Sequence, residues 1–257
     1  MGRMARHSVI VGAVVLATVA LVAGPAGANH SWNGYHSART ANPFTVQLGD
    51  NVTSTWDASL SGASTDWSKS TVLDTVVVPG GAKPRSCRPT SGRDEICNST
   101  YGNTGWLGIA QIWITGGVHI TQGTVKLNDT YFNSSPYNTS AWRNLVTCQE
   151  IGHTFGLAHQ DENFNNPNLG TCMDYTNDPS TNQHPNQHDY DELVTIYSHL
   201  DSFSTVGSPS AATTNRGSSG RAQAWGRAVA RSSDGRSSTY VRDLGSGLKV
   251  VTFVIWA

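Results

Sequence analysis

An α/β (α+β) fold is what this sequence predicts: a twisted, mixed β-sheet, a long helix packed on it, and a β-rich tail. Three observations predict it. Short runs rich in Val, Ile, Thr and Trp recur between residues 44 and 128, each bounded by Gly, Asn, Ser or Pro. The stretch from Thr139 to Gly156 carries the start and stop signals of one helix. The last stretch, STYVRDLGSGLKVVTFVIWA, alternates apolar and polar residues about a Gly-rich turn.

Composition bounds the setting. A chain of 257 residues is long enough to bury a sizeable core. Charged residues make up 14% of it, against roughly 25% in ordinary soluble domains, and Ser, Thr, Asn and Gly are plentiful. That balance suits a secreted protein.

Taken in chain order, Arg3 and Arg6 precede the apolar run Val9 to Ala23, and Ala26-Gly27-Ala28 supplies a small-residue cleavage pattern. Residues 1–28 therefore read as a secretory signal peptide. The apolar run falls short of the roughly 20 residues a membrane span requires, and no second such segment follows. The mature chain, with 15 basic and 18 acidic residues, carries a net charge of −3, so neither nucleic acid nor anionic lipid is an expected partner. An extracellular monomer is expected.

FTVQL (44–48), TVLDTVVVP (71–79), LGIAQIWIT (107–115) and GTVKLN (123–128) read as strands. Residues 50–68 are the candidate for an early helix, with Trp56, Leu60 and Trp67 inward. The helix near Thr139 or Ser140 ends at Gly156, which can take the left-handed conformation of a C′ residue. At 100° per residue Trp142, Val146, Gln149 and His153 fall within about 60° of arc, one stripe of the helix. HDYDELVTIYSHL (188–200) reads as a last helix capped by Asp189, with Leu193, Ile196, Tyr197 and Leu200 inward. The main domain thus spans 29–201. Residues 202–223, Ser-, Gly- and Ala-rich, read as a linker, and 224–257 as a hairpin-like extension turning at Gly245-Ser246-Gly247. That extension could augment the main sheet or stand apart as a small surface element.

The four cysteines lie in the exported part, where disulfides form. Three pairings are possible. Cys87–Cys97, closing a turn-rich loop, and Cys148–Cys172, each partner beside a suspected site residue, are favoured. Sequons stand at Asn51, Asn98, Asn128, Asn133 and Asn138, relevant only in a eukaryotic secretory route.

The chemistry concentrates in QEIGHTFGLAH, residues 149–159. Positions 149 and 153 are four apart on a helix, so both side chains can address one metal while Glu150 between them addresses water. Gly156 lets the chain leave the helix sharply, and His159 can return as a third ligand.

This run resembles the metzincin zinc-protease pattern HExxHxxGxxH at every defined position but the first, where Gln149 stands in place of histidine. TCMDY (171–175), fourteen residues from His159 to Met173, resembles the family's Met-turn. The resemblance implies a metzincin-like zincin fold, with active-site helix, Met-turn and C-terminal helix. It implies Zn2+ held by His153, His159 and Gln149, and a hydrophobic floor at Met173. It gives Glu150 the role of general base, and Tyr175 that of a matrixin-like or astacin-like chain's tyrosine, touching metal or oxyanion. The stretch from Gly105 to Phe132 is similar to the edge strand on which matrixin-type enzymes bind extended substrate.

The function implied is a secreted zinc-dependent endopeptidase acting on extended protein or peptide substrates. The alternative is an inactive relative that binds extended peptides or proteins by strand addition, its metal weakened or lost because an amide oxygen is a poorer zinc donor than imidazole. Asp161, two residues after His159, could orient a histidine or bind Ca2+ with nearby oxygens, solvated loop charge being the default. His184 and His188 could ligate metal, though a polar loop explains them as well. Trp113 and Trp142 read as core.

Overall fold

The structure is a computed structural model, and it describes residues 1–2, 30–207 and 224–257. The signal-peptide segment falls almost wholly outside the described residues, as do positions 208–223 of the expected linker. No helix among the described residues is long and apolar enough to cross a membrane.

Among the described residues, nine strands form one mixed sheet. In chain order they are β1 (His36–Ser37), β2 (Phe44–Asn51), β3 (Leu73–Pro79), β4 (Asp94–Ser99), β5 (Trp106–Thr115), β6 (His119–Asn128), β7 (Arg227–Arg231), β8 (Ser237–Gly245) and β9 (Leu248–Trp256). Across the sheet the order is β3-β2-β4-β6-β5-β9-β8-β7, with the two-residue β1 pairing β6 in parallel at His36↔His119. Strands β3, β2, β4 and β6 run parallel, and β5, β9, β8 and β7 continue the sheet antiparallel.

Among the described residues four α-helices accompany it: α1 (Asp57–Trp67), α2 (Asp129–Phe132), α3 (Ser140–Thr154) and α4 (Gln187–Ile196). Helix α3 begins where Thr139 caps it, the side chain accepting from the Trp142 amide. Its end is set at Gly156, whose φ of +95° suits glycine and whose added β-carbon would collide with the Tyr35 carbonyl oxygen. The main core lies between these helices and the sheet, with Trp56, Trp67, Leu127, Val146, Ile151 and Met173 all buried. Trp113 and Trp142 are buried too.

Several expectations need correcting. Helix α4 is capped by Asn186 rather than Asp189; Asp189 sits at N3 and returns its carboxylate to the Asn186 amide, closing a capping box. The helix also stops at Ile196, leaving Leu200 56% exposed rather than inward. Strand β4 lies within a stretch read as turn-rich loop, because its Asp94 and Glu95 are buried charges that hide the β pattern; Arg93 and Thr90 hold Glu95. Residues 202–207 are bonded to the body, Thr205 exchanging hydrogen bonds with Ala38 and Gly207 donating to Gly92. Asn51, Asn98 and Asn128 are buried and hydrogen-bonded, so the folded chain offers no glycan access there. Disulfides join Cys87 to Cys97 and Cys148 to Cys172, the second tying α3 to the segment that carries Met173.

The C-terminal segment augments the main sheet. Strand β9 runs antiparallel to β5 from Trp106↔Trp256 to Ile114↔Lys249. Its Val250, Val251, Phe253, Val254 and Ile255 are all buried, so β9 belongs to the core.

Candidate metal centre

Helix α3 delivers Gln149, Glu150 and His153 to one buried region, and the turn after Gly156 brings His159 back to them. The Nε2 atoms of His153 and His159 stand 2.9 Å apart. His153 Nδ1–H donates to the Leu157 carbonyl at 2.8 Å, which leaves the neutral ring's Nε2 as a bare lone pair. His159 Nδ1 faces the Glu162 carboxylate at 3.6 Å. Burial lowers the pKa of both imidazoles, His153 further through the charge of His159, while Glu162 opposes the shift at His159. Unprotonated lone pairs converging at this separation must share a proton or a cation.

Gln149 is fully buried, and its amide nitrogen donates to the Cys172 carbonyl at 2.9 Å. That carbonyl can only accept, so it fixes which end of the amide faces it. The other end, Oε1, has no partner among the described residues, and neither has Glu150 Oε2, while the Tyr175 hydroxyl faces the Ser237 side chain. Two unpartnered buried polar atoms on adjacent residues of the motif are unusual, because each carries a desolvation cost of about 1–3 kcal/mol. An amide oxygen without a donor is the kind of atom that a cation would satisfy.

Glu150 lies tight under β5. A β-carbon on Gly108 would come within 2.6 Å of its Oε1, so only glycine leaves room for the carboxylate there. Burial pushes the Glu150 pKa well up, and a hydrogen bond from the Ala110 amide only partly opposes it. Tyr175 packs its ring 4.1 Å from that of His159 and stacks on Phe164. Met173 is buried against α3, where a β-carbon on Gly152 would meet its sulfur at 2.7 Å.

Sequence reasoning did not anticipate what lies over these residues. Phe253 of β9 stacks face to face on His153, ring centroids 4.4 Å apart and planes 6° from parallel. The edge of β5, expected to be free for an extended substrate, is occupied by the chain's own strand. The alternation of TFVIW was visible in the sequence; its partner was not.

The remaining candidates lie elsewhere. Asp161 accepts from the Asn163 amide and from Asn166 Nδ2, a loop-capping role, and nothing among the described residues supports calcium. His184 bonds Asp66 at 2.6 Å, and His188 stacks on His30. His36, His119 and Asp201 form a separate, partial His/His/Asp metal-ligand cluster, with ligand atoms within 4.8 Å of one another.

No family model matches the sequence, and no curated protein matches it. Among solved structures, the chain is similar to that of myroilysin at 12% identity and a TM-score of 0.35, over 63% of this chain and 96% of that one. It is also similar to high choriolytic enzyme 1, a hatching enzyme zinc-protease from the medaka fish Oryzias latipes, at 9% identity and a TM-score of 0.35, over 65% and 95% of the two chains. Likenesses of this depth decide nothing about the site, which rests on the chain's own residues.

Proposed function

We propose that this chain is a secreted, metzincin-like protein whose β5 edge recognises extended polypeptide by strand addition, with β9 as the strand resident there, rather than a protease that turns over as it stands. The observation that carries this reading is the pairing of β9 along β5 with Phe253 laid on His153. An antiparallel strand on that edge is how an extended peptide would bind, backbone bonds giving affinity and alternate side chains entering the site. The five buried apolar side chains of β9 bring on the order of 10 kcal/mol of gross burial. Tethering adds an effective concentration in the millimolar range. Another peptide therefore binds only where β9 is displaced.

A nicked chain tests this. With a protease site engineered between 208 and 223 and cut, β9 is untethered but in place. A labelled, lysine-flanked peptide of Leu248–Trp256 is expected to exchange into the nicked protein, and a scrambled one is not. Equal uptake of both peptides, or of neither, sinks the reading.

The unpartnered atoms favour a second reading, latent hydrolysis. His153, His159 and Gln149 Oε1 would hold zinc, which supplies a Lewis acid and lowers the pKa of water. Glu150 would take a proton from water, and the Tyr175 hydroxyl would donate to the substrate carbonyl oxygen as charge develops there. Burial beneath β5 raises the Glu150 pKa and so disfavours the carboxylate, so base catalysis gains from opening the site to water. Zinc-dependent cleavage of an unfolded protein by the nicked chain, lost in Glu150→Gln, would place hydrolysis first; no cleavage leaves the binding reading alone.

A further inference from the structure

We propose that His36, His119, His199 and Asp201 hold a second divalent ion, zinc by donor type, in a closed tetrahedral site that clips three distant segments together. The histidines come from β1, from the first residue of β6, and from the segment beyond α4, which also supplies Asp201. None of them belongs to the motif on α3.

His36, His119 and Asp201 offer ligand atoms that all lie within 4.8 Å of one another; His199 meets His36 and Asp201 and, being exposed, turns inward to complete the set. With metal–ligand distances of about 2.0–2.2 Å, tetrahedral geometry sets ligand atoms about 3.3 Å apart. His36 Nε2 and His199 Nε2 are 3.2 Å apart, and His119 Nε2 and Asp201 Oδ1 are also 3.2 Å apart. Asp201 Oδ2 to His36 Nε2, and Oδ1 to His199 Nε2, each measure 3.9 Å, within reach of a small side-chain adjustment. The rings of His119 and His199 stand edge-on to that of His36, at 86° and 88°, so their planes do not compete for the same space.

The surroundings are also prepared. His36 Nδ1 bonds the Gly34 carbonyl at 2.7 Å, fixing the tautomer whose Nε2 is bare and faces the cluster. Asp201 Oδ2 accepts from the Arg39 amide at 3.2 Å and from its Nη1 at 3.0 Å, which anchors the carboxylate and presents Oδ1. Arg39 Nη2 also donates to the His199 carbonyl, holding that residue's backbone in place. His36 is buried, while the His199 side chain is 53% exposed and leaves a way in for the ion.

Three imidazoles and one carboxylate suit zinc rather than calcium or magnesium, which prefer all-oxygen shells. Four protein ligands leave no open position, so the ion's role is structural. It would secure β1, which has only two residues of pairing to hold it on β6.

The test uses the full chain carrying His153→Gln and His159→Gln, so that the α3 site contributes nothing. Zinc alone is the probe, with cobalt(II) as its spectroscopic stand-in. The expected result is one equivalent of zinc, intense tetrahedral cobalt bands, and a Tm raised by about 5 °C and restored by chelator. His119→Gln or His199→Ala in that background should weaken binding at least tenfold. Failure to retain zinc, or retention unchanged in both variants, overturns the proposal. Should the double variant not fold, the wild-type chain against His199→Ala decides it: one equivalent lost supports the site, and equal content refutes it.

Discussion

Two pairs of histidines in this molecule meet nitrogen to nitrogen at almost the same distance, 2.9 Å for His153 with His159 and 3.2 Å for His36 with His199. They differ in nearly everything else. The first pair is written within seven consecutive residues, with His153 buried beneath Phe253 of the chain's own strand and His159 half-buried beside it. The second is assembled across 163 residues of separation and opens to solvent at His199. The contrast teaches that equal spacing can come with unequal access. Local sequence sets the spacing; what lies on top of it is set elsewhere in the chain.

Removing the cover should do most to break that contrast. Phe253→Ala deletes a buried ring and should cost about 3–5 kcal/mol of stability, while zinc uptake at the α3 site becomes faster; denaturant melts and stopped-flow zinc binding read both. Unchanged uptake would mean that Phe253 does not gate His153.

Asp94 probes what anchors the buried site. Its Oδ2 accepts from Thr154 at the end of α3, and burial raises its pKa from 3.8 to about 7. Between those values the folded state holds more protons than the unfolded one, so stability falls as pH rises from about 4 to about 7, and the whole penalty stands above that. Asp94→Asn should therefore stabilise by about 2–4 kcal/mol at pH 8 and by almost nothing at pH 4, measured as urea midpoints. A pH-independent effect would deny the buried charge.

Gln149→His restores an imidazole at helix spacing and should tighten zinc at the α3 site at least tenfold, about 1.4 kcal/mol, by competition with a chelating dye. The outer cluster should not respond. Smallest of all, His199→Ala in zinc-free buffer should change stability by less than about 0.5 kcal/mol, because the side chain is half exposed and its loss matters only through the ion.

Much of the fold was legible because its signals are local. The Thr139 cap, the apolar stripe of α3, the Gly156 exit and the runs that became β2, β3, β5 and β6 each express a preference over a few residues. Strand β4 was not legible, since its apolar signal is interrupted by Asp94 and Glu95, whose burial is made tolerable by partners elsewhere. Strand β7 fell outside the recognised tail pattern for a related reason: RAVAR is short and mostly exposed at the sheet's far edge.

The sequence by itself determined the α3 motif, since four-residue spacing on a helix and a glycine at its end are properties of the local backbone. It also determined that the tail would form strands. Only the tertiary structure decided where those strands went, laying Phe253 on His153, and only it gathered His36, His119, His199 and Asp201. Pairing between strands and convergence of remote side chains are set by burial and backbone hydrogen bonding over the whole sheet. No window of neighbouring residues contains that information.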